Sequence, residues 1–387
     1  MNKINTLLLI FLVLYLVAGC TSEDGSGYYE GGISYSHTEW AVKEQAFALK
    51  QNLIAGDDEK YFFGKINDMA VRPDGLMYVV DGDASTIRVL AQNGTLQESI
   101  GGRGGGPGEF RHPSKVYLVG RDSLYVTHGG LATRLSAFGP GHEFAYDISF
   151  SSSVAPHQST PDRVIPIPGE LEFFGVWFPV SWPGQDTSNS KASVRRLSRD
   201  GTAGDTLFTF PGSQQPARKV GTGYKFYNTP WDRGPYLALG PEGNLYYAGN
   251  DSLTVRTYDA EGMLRRVAEI PFEPIPITNA DLEREFSNWS SADDVGYVRD
   301  LIPSTKPAFK HFLVDDEGRY WFGRPTANPD SMAWLVAWPE EKRIVTDTLP
   351  SEVEILTVQD GYAYGKTVTK AGAPVVIRYR IGLKSSA

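Results

Sequence analysis

A unit of four strand-length runs separated by tight-turn signals restricts this chain more than any other feature. Its clearest copy spans Ile66 to Pro113, INDMAVRPDGLMYVVDGDASTIRVLAQNGTLQESIGGRGGGPGEFRHP. Ile66–Val71, Leu76–Asp81, Thr86–Ala91 and Thr95–Ile100 are rich in β-branched and aromatic residues, which favour a pleated, half-buried strand. The breaks hold Gly, Pro, Asn or Asp, as in Pro73-Asp74-Gly75 and Asn93-Gly94, residues that turn the chain without strain. A glycine-rich loop from Gly101 closes the unit.

The unit recurs. Val116–Val119 opens a second copy, Arg163–Ile167 a less regular third, Tyr236–Leu239 a fourth, Lys310–Val314 a fifth and Val353–Val358 a sixth. A tyrosine occupies the same place in the second strand of five copies: Tyr78, Tyr125, Tyr246, Tyr320 and Tyr362. Tyr78 and Tyr125 lie 47 residues apart and Tyr320 and Tyr362 lie 42 apart, the repeat length of propeller blades. The expected fold is therefore all-β, a six-bladed β-propeller with four antiparallel strands per blade. The sixth copy holds only three strands. An open ring leaves unpaired edges, so a fourth strand is required from elsewhere. The stretch AVKEQAFALKQ has helix-forming composition, yet Phe47–Leu53 also reads as a strand, and closure selects the strand. One propeller domain over 38–387 follows.

The linker Gly101-Gly102-Arg103-Gly104-Gly105-Gly106-Pro107-Gly108-Glu109-Phe110, followed by Pro113, resembles the inter-blade linker of NHL-repeat proteins. Val71–Asp81 resembles the next element of those repeats, an apolar strand, Asp-Gly, then Leu/Ile-Tyr-Val-x-Asp. The match is tight over 66–113 and loose over 60–382. It implies the six-bladed propeller and little about activity, because one fold hosts binding modules, lyases and lactonases.

The N-terminus gives a cellular address. Lys3 precedes an apolar run from Thr6 to Val17, too short to span a membrane comfortably and flanked like a signal peptide. Leu16-Val17-Ala18-Gly19-Cys20 resembles the bacterial lipobox, and Cys20 is the only cysteine in the chain. The expected organisation is a lipoprotein signal peptide over 1–20, lipidation at Cys20, and a Gly/Ser-rich flexible tether over 21–37. The resemblance places the protein in the bacterial envelope, anchored to a membrane through its lipid. Thr21, where an aspartate marks inner-membrane retention in enterobacteria, favours the outer membrane where the cell has one. With one cysteine there is no internal disulfide. The net charge of −9 excludes a general nucleic-acid binder, which needs a basic face.

Turn lengths are unequal. Connections between first and second strands and between third and fourth strands are tight, as at Pro241–Gly243 and Gln92–Gly94. The other two sets are long: Gly101–Pro113, Phe178–Ala192, Pro211–Pro235 and Pro271–Pro307. In an up-and-down blade these sets emerge at opposite ends, so one face carries the elaboration and, by the usual logic of loops on a rigid scaffold, the binding residues. In Pro271–Pro307, Thr278 with Asp281 and Ser291 with Asp294 read as helix caps, predicting a helical insertion over about 278–303 between blades 4 and 5. On the loop-rich face the candidate ligand-binding residues are Asp81, Arg103, Arg111, His128, Trp182, Tyr227, Trp231, Arg233, His311 and Arg324. Aromatics beside a few charges suit a peptide, glycan or protein partner.

The alternative reading is a metal-dependent hydrolase or lyase acting in the channel. Asn67, Asp68 and Glu354 are the inner-strand candidates for calcium or zinc, with His128 and His311 near the mouth. Lys115 and Lys310 stand where further ligands would be wanted, and the histidines lack close metal-ligand spacing. Neither a Gly-x-Ser-x-Gly elbow nor a free cysteine nucleophile is present, and the glycine run lacks the Lys-Ser/Thr of a phosphate loop. The residues assign no cofactor.

Overall fold

A computed structural model describes residues 28–30, 33–36, 40–42, 47–58, 61–120, 123–129, 133–150, 160–179, 191–212 and 216–383. The stretch read as a signal peptide, the expected lipidation site Cys20 and the candidate Trp182 lie outside the described residues.

The chain forms the expected six-bladed propeller. Blade 1 comprises Ile66–Val71, Met77–Asp81, Thr86–Leu90 and Leu96–Ile100. Blade 2 runs from Lys115–Val119 to Phe144–Phe150, blade 3 from Arg163–Pro166 to Ala203–Pro211, and blade 4 from Pro235–Leu239 to Leu264–Glu269. Blade 5 runs from His311–Val314 to Arg343–Pro350. Blade 6 takes Glu354–Gln359, Tyr362–Val368 and Pro374–Leu383 from the C-terminus and Phe47–Ala55 from the N-terminus. That last strand pairs antiparallel with 374–383, from Phe47↔Leu383 to Ala55↔Val376. The ring closes as the strand count required. Helical propensity in AVKEQAFALKQ loses because the blade edge supplies a hydrogen-bonding partner and the blade 5–6 interface buries Phe47 and Leu49.

Upstream, the chain does something the sequence reading did not anticipate. Within the stretch read as a tether, Ile33–Ser36 adds in parallel to the outer strand of blade 4, and Tyr28–Glu30 pairs with it. Ala41–Val42 then adds in parallel to the outer strand of blade 5. Between them Trp40 is buried, its indole N–H donating to Glu269 O at 2.6 Å. The N-terminal segment thus straps the outer edges of blades 4, 5 and 6 in succession, covering polar edges that are otherwise open to other strands.

The core is divided into six apolar clusters, one at each blade–blade interface. Each blade buries both faces, so its strands are apolar on two sides. Met77, Tyr78, Val79 and Val80 are all fully buried, with alternate residues serving the blade 6–1 and blade 1–2 interfaces. The recurrent tyrosines are packing elements of these interfaces: Tyr78, Tyr125, Tyr246 and Tyr320 are buried, and Tyr246 meets Tyr320 edge-on across blades 4 and 5. A seventh cluster, with Tyr227, Phe286 and Val298 at its centre, holds the helical insertion. The inner strands of neighbouring blades lie side by side around the central channel.

Candidate functional site

The loop-rich end of the channel is where the six inner strands begin, at Ile66, Lys115, Arg163, Pro235, His311 and Glu354. The mouth is polar. Asp68 of blade 1 accepts from Lys115 Nζ at 2.9 Å and from the Val116 amide at 3.0 Å, both in blade 2. Glu354 of blade 6 lies 3.0 Å from Lys366 Nζ and 3.7 Å from His311 Nδ1 of blade 5. Lys366 also donates to the Ile66 carbonyl at 3.2 Å, joining blade 6 to blade 1. His311 stacks on Trp334. Burial lowers its pKa, against the opposing field of Glu354, so the ring is a neutral imidazole near pH 7. Burial raises the pKa of Tyr117 and Tyr236, which keeps both phenols protonated as donors.

Beside the mouth opens a cleft of about 430 Å³ between the helical insertion and the rims of blades 5 and 6. Trp231, Arg284, Lys310, His311, Met332 and Glu354 are among its lining residues. One wall is built on helix α1, Asn279–Phe286, which packs against α2, Ala292–Arg299, through Phe286 and Val298. Thr278 and Asp281 form the anticipated capping box on α1, while on α2 the Ser291 hydroxyl accepts from the Asp294 amide. The insertion is locked by charge. Lys306, 5% exposed, donates to Asp281 at 2.9 Å and to the Thr326 carbonyl at 3.2 Å. Asp294 on α2 accepts from Lys225, and from the Tyr227 hydroxyl at 2.6 Å. The hydrogen bond from Lys225 leads in holding Asp294 down at about 2.

Trp231 enters the cleft from the linker before blade 4, with a backbone φ of 57°. A bulky residue in that region is an outlier that the surroundings must enforce. The surroundings are visible. The Arg233 guanidinium donates to Thr305 O and Oγ1, Lys306 O and Asn250 O. The Asn250 side chain in turn bonds to Asp232 O and the Gly234 amide. The turn is pinned on both sides, so Trp231 is held as a half-exposed platform.

The predicted residues separate into two groups. Trp231 and His311 line the cleft. Of the others, Trp182 lies outside the described residues, and all the rest but Arg111 are engaged through their side chains in holding the scaffold. Asp81, fully buried, accepts from the amides of Gly64, Lys65 and Ala84 and so organises its own loop. His128 is 3% exposed and hydrogen-bonds Ser136, which donates to Asp147; burial pushes its pKa down to about 4. Tyr227 is buried beneath α2. Arg233 and Arg324 bind backbone carbonyls, Arg324 those of Ala308 and Glu273. Arg103 spans its loop to the Asp83 carbonyl, and Arg111 is exposed, with its amide donating to His128 Nδ1. Sequence reasoning passed over Arg163 and Lys366 and noted Lys310 only as standing where a metal ligand would be wanted; all three are cations at or reaching the mouth. The signal for Arg163 and Lys310 was their place at the start of an inner strand.

The metal candidates do not gather into one cluster: Glu354 and His311 approach each other, at 3.7 Å, without a third ligand. Among the described residues no three His, Cys, Asp or Glu side chains converge. Asn67 is turned to the Pro113 carbonyl, while Asp68 and Glu354 are matched by lysines.

No family model matches the chain, and no curated protein matches it. Solved structures do resemble it. A presumed exported protein of Bacteroides fragilis has a TM-score of 0.52 at 13% identity, covering 91% of this chain and 99% of its own. A member of the DUF4221 family from Bacteroides vulgatus has a TM-score of 0.55 at 11% identity, covering 88% of this chain and all of its own. At such identities the likeness is one of fold: this chain shares the architecture of these proteins along nearly their whole length, as a six-bladed β-propeller.

Proposed function

We propose that this protein is a lipid-anchored binding module of the bacterial envelope that holds a peptide, glycan or protein segment in the cleft beside its channel mouth. The observation that carries this reading is the cleft itself. It lies on the loop-rich face, its helical wall is fixed by the buried Lys306–Asp281 ion pair, and a strained turn presents Trp231 to it. An aromatic held rigid gives contact area at low entropic cost, and the mixed charges around it supply orientation. The NHL-like linker and the exported neighbour fit a propeller of this type. A further support for the envelope is the lipobox-like run ending at Cys20.

The test of the cleft is an array of peptides and glycans probed with wild type and Trp231→Ala. At least one class is expected to bind wild type and to weaken tenfold or more in the variant. If every detected ligand binds both proteins equally, the cleft is not the site. The anchor is tested apart: Cys20→Ser is expected to move the protein from the membrane to the soluble fraction, and unchanged fractionation refutes lipidation there.

A further inference from the structure

We infer that the channel mouth captures an anionic group, a carboxylate or a phosphate, carried by the ligand that lies in the cleft; this rests on the cleft reading above. The protein as a whole is acidic, with a net charge of −9. Its channel mouth is not. Lys115 and Arg163 open the inner strands of blades 2 and 3, Lys310 precedes that of blade 5, and Lys366 reaches in from blade 6. At the inner-strand ends these four cations meet two carboxylates, Asp68 and Glu354, a difference of two positive charges (four less two), while Glu285 and Glu352 line the adjoining cleft with Arg284. Both carboxylates are matched, Asp68 by Lys115 at 2.9 Å and Glu354 by Lys366 at 3.0 Å. Arg163 and Lys310 have no carboxylate within ion-pair distance among the described residues, and both are exposed.

Arg163 opens the inner strand of blade 3 at this end of the channel, and its guanidinium stands over the Phe178 ring, 5.5 Å from the centroid. The further acid that bears on Tyr236 in blade 4 is Asp232, whose charge is offset by the neighbouring Arg233. The donor set therefore consists of the Arg163 guanidinium and the Lys310 ammonium, both exposed at the ends of inner strands around a polar opening with protein walls. Such walls concentrate the field of fixed charges, and hydrogen bonds from charged donors to an anion are the strong ones. Lys310, His311 and Glu354 line the cleft as well as the mouth, so one ligand reaches both.

The probes are inorganic phosphate and an N-acetylated tripeptide with its C-terminus either free or amidated. Each is titrated at fixed ionic strength into the purified protein and followed by calorimetry. Phosphate or the free-acid peptide is expected to bind, and which of them binds identifies the anion. Affinity is expected to fall at least tenfold in Arg163→Gln and in Lys310→Gln. It is expected to hold in Arg265→Gln, which removes a cation from the opposite face. The amidated peptide is expected to bind at least tenfold more weakly than the free acid. No binding of either probe, or equal binding by all variants, overturns the inference. If an array ligand that needs Trp231 is indifferent to Arg163→Gln and Lys310→Gln, the anion site falls while the cleft stands. If anion binding needs these two residues but no ligand needs Trp231, the cleft reading falls while the anion site stands. Both altered side chains are exposed, so folding is preserved, and a melting curve for each variant checks this.

Discussion

Phe47→Ala tests the closure of the ring from the side of the strand that closes it. Phe47 is 3% exposed and packs edge-on against Trp321 of blade 5, with ring centroids 5.8 Å apart. It sits in the blade 5–6 core with Leu49, whose amide donates to Asp347 on the outer strand of blade 5 at 2.7 Å. Truncating a buried phenylalanine costs about 3–5 kcal/mol, part lost transfer energy and part cavity. For a domain of roughly 340 residues, an unfolding entropy of about 2.1 cal/mol/K per residue gives about 0.7 kcal/mol/K. The melting temperature is then expected to fall by about 4–7 °C in scanning calorimetry. Phe62→Ala is the matched control, the same chemical change at a residue 74% exposed, and is expected to shift the midpoint by under about 1 °C. Equal shifts for the two variants would mean that Phe47–Ala55 does not close blade 6, and the argument from unpaired edges would fail.

Other outcomes follow from particular contacts. Burial works to raise the pKa of Asp281, but hydrogen bonds from Lys306 and Thr278 outweigh it and hold the carboxyl at about 2, like Asp294. A depressed carboxylate stabilises the fold above its unfolded pKa, near 3.8, and loses that contribution as pH falls towards 2. Hydrogen exchange over 279–302 is therefore expected to quicken between about pH 4 and pH 2 ahead of the blade strands; simultaneous loss everywhere would refute the ion-pair lock. His128 titrates near 4 instead of 6.5, mainly through burial, so the unfolded chain binds more protons than the folded one between those values. Stability is expected to decline as pH falls through that window, and His128→Gln to flatten this dependence in denaturant titrations; an unaltered slope would count against it. In the glycine run, Gly101 has φ +79° and a Cβ there would meet the Phe110 ring at 2.2 Å, whereas nothing lies within 4 Å of a Cβ at Gly102. Gly101→Ala is expected to destabilise by at least about 1–2 kcal/mol and Gly102→Ala by under about 0.5, read from urea midpoints.

How much of the site was legible differs from residue to residue. The strand runs, turns and tyrosine spacing are local signals, and they locate the blades and the two helices within a few residues. The same pattern identifies the loop-rich face, because strand order alone sends alternate connections to opposite ends. It does not identify which polar residues on that face are available. Asp81 and His128 read as ligand candidates on that face, yet their polar atoms are taken by backbone amides and by Ser136. Arg233 reads as a contact residue but is committed to four acceptors drawn from Asn250, Thr305 and Lys306. Hydrogen-bond partners distant in sequence cannot be inferred from local composition.

The sequence by itself determined the repeat, the need for a borrowed strand, the insertion and the acidic balance, all consequences of periodicity and turn chemistry. Tertiary structure decided the rest. It laid Ile33–Ser36, from the stretch read as a tether, and Ala41–Val42 as parallel strands on blades 4 and 5, brought blades 5 and 6 and the insertion together around one cleft, and left Arg163 and Lys310 with no ion-paired acid among the described residues. The physical reason is that a propeller joins in space what is far apart in sequence: Ile66 meets Lys366, and Phe47 meets Leu383, only when the ring closes.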